Sequence, residues 1–197
     1  MNFLAHLYLS GEDPKIKVGN FIGDFVKGSN LSERFESSIA RGIELHRGID
    51  EFTDTHPVVT QSKERLRPRY RHYSPVIVDM FYDHFLARNW TMYHEKSLTD
   101  FATEAYDTLR QFHTVLPEEV KYVLGYMERE NWLVNYGQIN GIRRALSGMA
   151  RRTSFDSKME QATQELEAHY TDFEQEFHLF FPDLKKFSEN FLENPTP

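Results

Sequence analysis

Two short stretches of the chain concentrate acidic and imidazole side chains at spacings that suit a divalent metal site. The first, RGIELHRGIDEFTDTHP at residues 41–57, places His46 and Asp50 four positions apart. On a helix this spacing puts both side chains on one face, about one turn apart. Such a pair can hold one cation, or the carboxylate can fix the tautomer of the histidine. The alternative is a polar helix face that carries a histidine by chance.

The second stretch, VDMFYDHF at residues 78–85, carries Asp79, Asp83 and His84 among apolar neighbours. Two carboxylates four residues apart on a helix repel each other, and the repulsion grows when the pair is partly buried. A cation between them would turn that repulsion into attraction. The alternative is that they form the exposed face of an otherwise buried helix. Together the two stretches make a divalent metal site the leading hypothesis.

Two further residues are candidates on separate segments. Asp24 stands between Gly23 and Phe25 in the apolar segment KVGNFIGDFVKG. A carboxylate in such a setting is unfavourable to bury unless it is paired or bound to a metal. His6 lies beside apolar residues, where a lone histidine is more often a satisfied core group. We therefore predict Asp24 as a ligand and His6 as a core residue.

A basic stretch, KERLRPRYRHY at residues 63–73, sets five cationic side chains against a single acid, Glu64. In a chain of net charge −7, a local cationic patch favours an anionic partner, because long-range steering depends on local potential. An acidic protein surface or a phosphate group fits, whereas one short patch is a weak signal for nucleic acid. The alternative is a solvated basic loop. The predicted partner-binding residues are Lys63, Arg65, Arg67, Arg69 and Arg71.

Composition restricts the chemistry further. The chain has no cysteine, which excludes disulfides, thiolate metal sites and a cysteine nucleophile. Any metal must then be held by imidazole and carboxylate, which favour Mn, Fe, Mg or Zn. The negative net charge disfavours non-specific binding to nucleic acid. No apolar run is long enough for a membrane span, and the first residues lack the pattern of a signal peptide. We expect a soluble cytoplasmic protein.

Apolar residues recur at helical spacing along the whole sequence, without strand-like alternation, repeats or low-complexity linkers. This predicts one all-α domain over residues 1–197, with roughly eight to ten helices. A turn is predicted between Pro68 and Pro75, and a frayed tail over 194–197. The predicted helices cover a short N-terminal segment, 32–52, 57–67, 75–90, 98–116, 117–130, 139–149, a long polar segment from 154 or 156 to 180, and the residues from Pro182 onward.

Several separated motifs occur in a fixed order over roughly the first 90 residues: MNFLAHLYLS, GNFIGDFVKG, GI-x-LHR-x-ID-x-FTD-x-HP and SPVIVDMFYDHFLA. Together they resemble the acyl carrier protein phosphodiesterases, also called acyl carrier protein hydrolases. That family is similar to the HD-domain metal-dependent phosphohydrolases, and the resemblance implies an HD-like helical bundle. The sequence departs from the HD pattern, since Arg47 follows His46 where an HD protein has aspartate. The second doublet is reversed, as Asp83-His84.

The resemblance implies removal of 4′-phosphopantetheine from holo-acyl carrier protein, by hydrolysis of its phosphodiester link to a serine. It implies Mn²⁺ as the metal, a role in prosthetic-group turnover for fatty acid biosynthesis, and an acidic carrier protein as partner of the basic stretch. We expect Mn²⁺ to polarise a phosphoryl oxygen and activate a water. The expected metal ligands are Asp24, His46, Asp79, Asp83 and His84, and the residues expected to orient the water or protonate the leaving alkoxide are Asp50, Asp54 and His56.

Two other functional hypotheses fit the same residues. A helical phosphohydrolase acting on a nucleotide or another small phosphate ester would use the same metal cluster and be indifferent to the basic stretch. A non-catalytic helical adaptor for an acidic partner would bind negligible metal, and its acids would be structural.

Overall fold

Helices account for nearly all of the regular structure in the computed structural model, which describes residues 1–194. The predicted all-α fold in one domain is confirmed, and within the described range no β-strand occurs. None of the described helices combines the length and apolar content that a bilayer span requires. The helices are α1 (Phe3–Tyr8), α2 (Pro14–Ile22), α3 (Ser37–Thr55), α4 (Pro57–Tyr70), α5 (Ser74–Arg88), α6 (Leu98–Gln111), α7 (Glu118–Arg129), α8 (Trp132–Asn135), α9 (Ile139–Ala150), α10 (Thr163–Ala168) and α11 (Tyr170–Glu193).

Helix α5 forms the centre of the domain, in contact with α1, α4, α9 and α11. Every residue from Met80 to Ala87 is buried, so α5 has no solvent-exposed face over this length. A helix that is apolar all round belongs in the interior. The long helix α11 lays a row of phenylalanines against this core. These fully buried side chains are Phe173, Phe177, Phe180 and Phe181.

Three predicted boundaries are wrong at prolines and at a helix start. Helix α4 continues through Pro68 to Tyr70, and α11 continues through Pro182. Proline removes one N–H from a helix, but both prolines are solvent-exposed, so water can satisfy the freed carbonyl groups. Helix α3 begins at Ser37 and not near residue 32, because Leu31 O accepts the N–H groups of both Arg34 and Phe35 and closes a separate turn.

The C-terminal third also departs from the prediction. Residues 151–158 form an irregular turn, and the predicted single long helix is divided between α10 and α11. Of the tail predicted to fray, only Asn194 is described, and α11 has ended there; 195–197 lie outside the described residues.

Helices α2 and α3 cross in close backbone contact at two glycines. A β-carbon on Gly19 or on Gly42 would lie 2.9 Å from the Cα of the other glycine and would overlap the carbonyl oxygen of Ile39 or of Ile16. Only glycine fits at such a crossing. The contact sets the distance between the two helices that carry Asn20 and His46.

We expect Gly42→Ala to lower the free energy of unfolding by about 2–3 kcal/mol, because the added methyl group must push α2 and α3 apart. Urea unfolding followed by circular dichroism measures this. Gly125→Ala is the matched control, since the β-carbon at Gly125 meets open space on an exposed helix face. That change should leave stability unchanged or raise it by up to about 1 kcal/mol. A Gly42→Ala protein as stable as the parent would contradict the crossing described above.

Candidate metal centre

A cavity of about 330 Å³ opens beside the α2–α3 crossing and collects most of the acids and imidazoles singled out in the sequence. One part of its lining comes from α1, α2, α3 and the 3₁₀ turn after α2. Another part comes from α5, α7, α9 and the turn that follows α9. The polar side chains in the first part include His6, Asn20, Asp24, His46, Asp50 and Asp54, and the second part includes Val76, Asp79, Val123, Met149 and Arg152.

Two buried histidines face one carboxylate at the base of the cavity. His6 Nε2 lies 3.2 Å from Asp50 Oδ1, and His46 Nε2 lies 3.1 Å from Asp50 Oδ2. The two imidazole rings are stacked, with centroids 4.0 Å apart. Asp24 Oδ1 lies 3.2 Å from His46 Nε2 on the more exposed side. His6, His46 and Asp50 each offer one donor atom within 4.8 Å of the others, so this trio could hold a metal ion.

Asn20 fixes the tautomer of both histidines. His46 Nδ1 donates to the backbone oxygen of Asn20 at 2.7 Å, and His6 Nδ1 donates to its side-chain oxygen at 2.8 Å. The orientation of the Asn20 amide follows from its other bonds, because its nitrogen donates to His6 O and Ser10 Oγ. With both Nδ1 atoms occupied as donors, the neutral form of each imidazole directs its Nε2 lone pair into the cavity. This is the tautomer that binds a metal.

The electrostatics of the site favour one positive charge between these groups. Burial alone would lower the pKa of His46, but its hydrogen bonds to Asp24 and Asp50 outweigh burial and raise that pKa to about 9. Burial and the neighbouring charge of His46 lower the pKa of His6 to about 4. Burial would raise the pKa of Asp50, but hydrogen bonds from both histidines lower it. One positive charge shared by two Nε2 atoms and two carboxylates therefore stabilises the site; a proton on His46 can supply it, and a cation bound at the same position would replace that proton.

Asp79 and Asp54 line the same cavity without a histidine partner. Asp79 Oδ1 lies 3.1 Å from the α-amino nitrogen of Met1, and burial raises the Asp79 pKa against the effect of that ammonium group. Asp54 is largely exposed, and its Oδ1 lies 3.3 Å from Lys63 Nζ. Of the residues predicted for catalysis, Asp50 and Asp54 line the cavity. His56 lies outside its lining, with Nε2 3.5 Å from Asp183.

The structure places Asp83 and His84 away from the other predicted ligands. Asp83 is fully buried, and its oxygens accept the N–H groups of Asn2, Leu4 and Ala5 at the start of α1. Burial raises its pKa to about 7 against the opposing effect of these hydrogen bonds. His84 points to the far side of α5, where its ring bonds the backbone oxygen of Tyr136 and the hydroxyl of Tyr170. Both side chains are committed to internal hydrogen bonds.

The sequence interpretation missed His6 as a site residue. His6 is buried as expected of a core group, but its Nε2 faces Asp50 in the cavity. The sequence feature that could have indicated this role is a second histidine among apolar residues, in a chain that already carries the His46/Asp50 pair. Asn20, which holds both imidazoles, carried no sequence signal because a single asparagine within an apolar helix has many roles.

Arg47, which follows His46 in the chain, makes structural hydrogen bonds. Its guanidinium donates to the backbone oxygens of Val26 at 3.0 Å and Gly28 at 2.7 Å. These contacts hold the loop that follows Asp24. Arg47 thus positions the segment that carries Asp24 without taking the place of a ligand.

Most of the cationic side chains in the basic stretch form ion pairs within the chain. Arg65 makes two hydrogen bonds of 2.7 Å to the buried carboxylate of Glu176 on α11. Arg71 forms no ion pair within the described part of the chain. The cationic field that the sequence suggested is therefore largely neutralised along α4. The four pairs are Lys63–Asp54, Arg65–Glu176, Arg67–Glu64 and Arg69–Glu165.

We expect His6→Asn to weaken Mn²⁺ binding by at least about 100-fold, measured by calorimetric titration. Asparagine keeps an N–H near the position of Nδ1, so the bond to Asn20 can persist while the donor atom Nε2 is lost. His113→Asn, at an exposed position, is the matched control and should bind Mn²⁺ like the parent. Unchanged Mn²⁺ affinity in the His6 variant would remove this residue from the ligand set.

Comparisons with known proteins agree with the motifs in the sequence. The family profile described as acyl carrier protein phosphodiesterase matches residues 1–184. A protein of that name from Photorhabdus laumondii is 35% identical over 191 residues, which cover 96% of each chain. Another, from an Enterobacter species, is 34% identical over 96% of this chain and 98% of its own. A third, from Shigella boydii, is 36% identical over 93% of this chain and 95% of its own. No solved structure gives a significant match. The chain belongs to the acyl carrier protein phosphodiesterase family.

Proposed function

We propose that this protein hydrolyses the phosphodiester that joins 4′-phosphopantetheine to a serine of acyl carrier protein, releasing the apo-carrier. The observation that carries the proposal is the His6/His46/Asp50 cluster at the base of a cavity, in a chain whose relatives bear the name of this activity. The cavity volume of about 330 Å³ lies in the range of small-molecule sites, roughly 300–1,000 Å³. This volume suits the 4′-phosphopantetheine group, which would enter the cavity while the carrier protein stays outside.

His6, His46 and Asp50 would hold the metal, with Asp24 within reach of the same position. Two imidazoles with carboxylates are ligands that suit Mn²⁺, which we propose as the ion. When bound, this ion supplies Lewis acidity towards a phosphoryl oxygen and acidifies water. The arrangement is HD-like in using histidine and aspartate from neighbouring helices, but its second histidine comes from α1. A cytoplasmic location belongs to the same proposal.

The chain's own residues then handle the proton. Asp54 is exposed to the cavity and has no histidine partner, so it can accept a proton from the attacking water. The same carboxyl group can return that proton to the serine oxygen as the bond to phosphorus breaks. The Lys63 ammonium lies 3.3 Å from Asp54 Oδ1 and holds this carboxylate at the edge of the cavity.

Arg152 offers the positive charge that the anionic substrate needs. The cavity is lined by four carboxylates, Asp24, Asp50, Asp54 and Asp79, which would repel a phosphodiester. Arg152 lines the cavity too, and it pairs with no carboxylate in the described part of the chain. A guanidinium binds phosphate oxygens with two parallel hydrogen bonds. Val76, Val123 and Met149 supply apolar surface beside it for the pantetheine arm.

The decisive assay incubates the purified protein with Mn²⁺ and holo-carrier protein, and detects apo-carrier and free phosphopantetheine by mass spectrometry. We expect turnover that EDTA abolishes and added Mn²⁺ restores. Asp54→Asn should lower kcat by about 100-fold or more, with Mn²⁺ affinity unchanged. Hydrolysis of small phosphate esters with no release of phosphopantetheine would favour the small-ester alternative. Absence of both metal binding and turnover would favour a non-catalytic adaptor.

Replacing Arg152 separates the phosphate contact from metal binding. Arg152→Ala should lower kcat/KM for the holo-carrier by about 10- to 100-fold, since one charged hydrogen-bonding group is lost. Mn²⁺ affinity should stay the same. Arg151→Ala is the matched control, because its neighbouring, equally exposed side chain lies outside the cavity lining. Equal losses in the two variants would show that the cavity position of Arg152 has no special role.

A further inference from the structure

A second depression, of about 620 Å³, lies near the cavity and is formed by residues 68–73 and 155–158. We call these two segments the shelf. Tyr73 in the shelf is two residues from Pro75 and three from Val76, which line the cavity. Phe155 in the shelf is three residues from Arg152, which also lines it. Three residues span at most about 11 Å, so the shelf lies beside the cavity mouth.

The shelf carries cationic side chains that remain available to a partner. Arg71 and Lys158 both line it, and neither forms an ion pair within residues 1–194. Arg152, which lines the neighbouring cavity, is likewise without a carboxylate partner in this range. Only one carboxylate, that of Asp156, is part of the shelf lining. Unlike the ion-paired cations along α4, these side chains have a positive charge that is not neutralised within the chain and can attract an anionic surface.

The shelf also presents an exposed aromatic ring. Phe155 is 75% exposed, more than any other large apolar side chain in the described residues. The turn that presents it is braced by Thr153, whose Oγ1 lies 2.8 Å from the backbone oxygen of Ala150 and 2.9 Å from that of Phe155 and can donate to either. An exposed ring on an ordered turn, with cations beside it, has the composition of a protein-binding anchor.

The backbone holds the two cations in place as well. Arg71 has φ of 49° and Lys158 has φ of 56°, and they are two of the three non-glycine residues with positive φ in the described chain. A side chain at such a position carries conformational strain, and strain of this kind concentrates at functional surfaces. Ser74 Oγ donates to Arg71 O at 2.8 Å and stabilises the turn. The backbone conformation at both cations is therefore set by the fold.

We propose that the shelf is the docking surface for the carrier protein, through an acidic carrier face that surrounds one apolar side chain. The inference rests on the proposed function. A cavity of about 330 Å³ admits the prosthetic arm but excludes the folded carrier, so the carrier body must rest at the mouth. Of the surfaces at the mouth, the shelf combines unpaired cations with an exposed ring. It keeps Arg71 from the predicted basic stretch and replaces the ion-paired residues of α4 as the partner-binding surface.

The test compares two charge reversals. Lys158→Glu and Arg71→Glu should each raise KM for holo-carrier about tenfold at low salt with little change in kcat, and should flatten the salt dependence of kcat/KM. Phe155→Ala should raise KM by a similar factor. Arg67→Glu on α4 is the matched control and should leave KM nearly unchanged. Manganese-dependent hydrolysis of bis(p-nitrophenyl) phosphate should be the same in all four variants and the parent.

Each outcome decides the proposal. A raised KM for Arg67→Glu with normal shelf variants would overturn the shelf and return docking to α4. Loss of bis(p-nitrophenyl) phosphate hydrolysis in the shelf variants would show that they damage the cavity itself, which also overturns the docking role. If the parent hydrolyses the small diester but neither binds nor turns over holo-carrier, the proposed function fails with the shelf. If the parent turns over holo-carrier and the shelf variants match it, the shelf alone fails.

Discussion

The close crossing of α2 and α3 is the constraint on which the site depends. Gly19 and Gly42 allow the two backbones to touch, and Gly23, one turn further along, leaves room for the ring of His46. Asn20 lies between these glycines, so the crossing delivers its backbone oxygen to His46 and its side-chain oxygen to His6. A wider crossing would take the backbone oxygen of Asn20 away from His46 Nδ1, since these two groups lie on α2 and α3. The orientation of the His46 imidazole is thus a result of backbone packing.

A second support comes from the centre of the domain. Asp83 on α5 accepts three N–H groups at the start of α1, which is only six residues long and has little stability of its own. Because α1 carries His6, the Asp83 carboxylate positions that histidine without touching it. Asp83, which the sequence suggested as a metal ligand, therefore influences the cavity only through α1. The helix that carries it also contributes Val76 and Asp79 to the lining.

The features that the sequence predicted well are local. Helical periodicity located the central helices, and the four-residue spacing of His46 and Asp50 correctly placed them side by side. The misses depend on contacts between distant parts of the chain. His6 reaches Asp50 across 44 positions, and Arg65 meets Glu176 from 111 positions away. A count of charges along α4 cannot show that a buried acid on α11 already binds one of them. The continuation of α4 and α11 through prolines depends in the same way on the packing of their buried faces.

The pairing of Arg65 with Glu176 has a consequence for the order of assembly. Glu176 also accepts a hydrogen bond from Ser62 on α4, and Arg41 on α3 donates to the backbone oxygens of Phe191 and Leu192. Helices α3 and α4 are therefore both bound to α11. During synthesis, the faces of α3, α4 and α5 that pack on α11 therefore stay uncovered until a helix is made more than 80 residues after α5 ends. Until residues 170–193 are made, the growing chain exposes apolar surface that the complete domain buries.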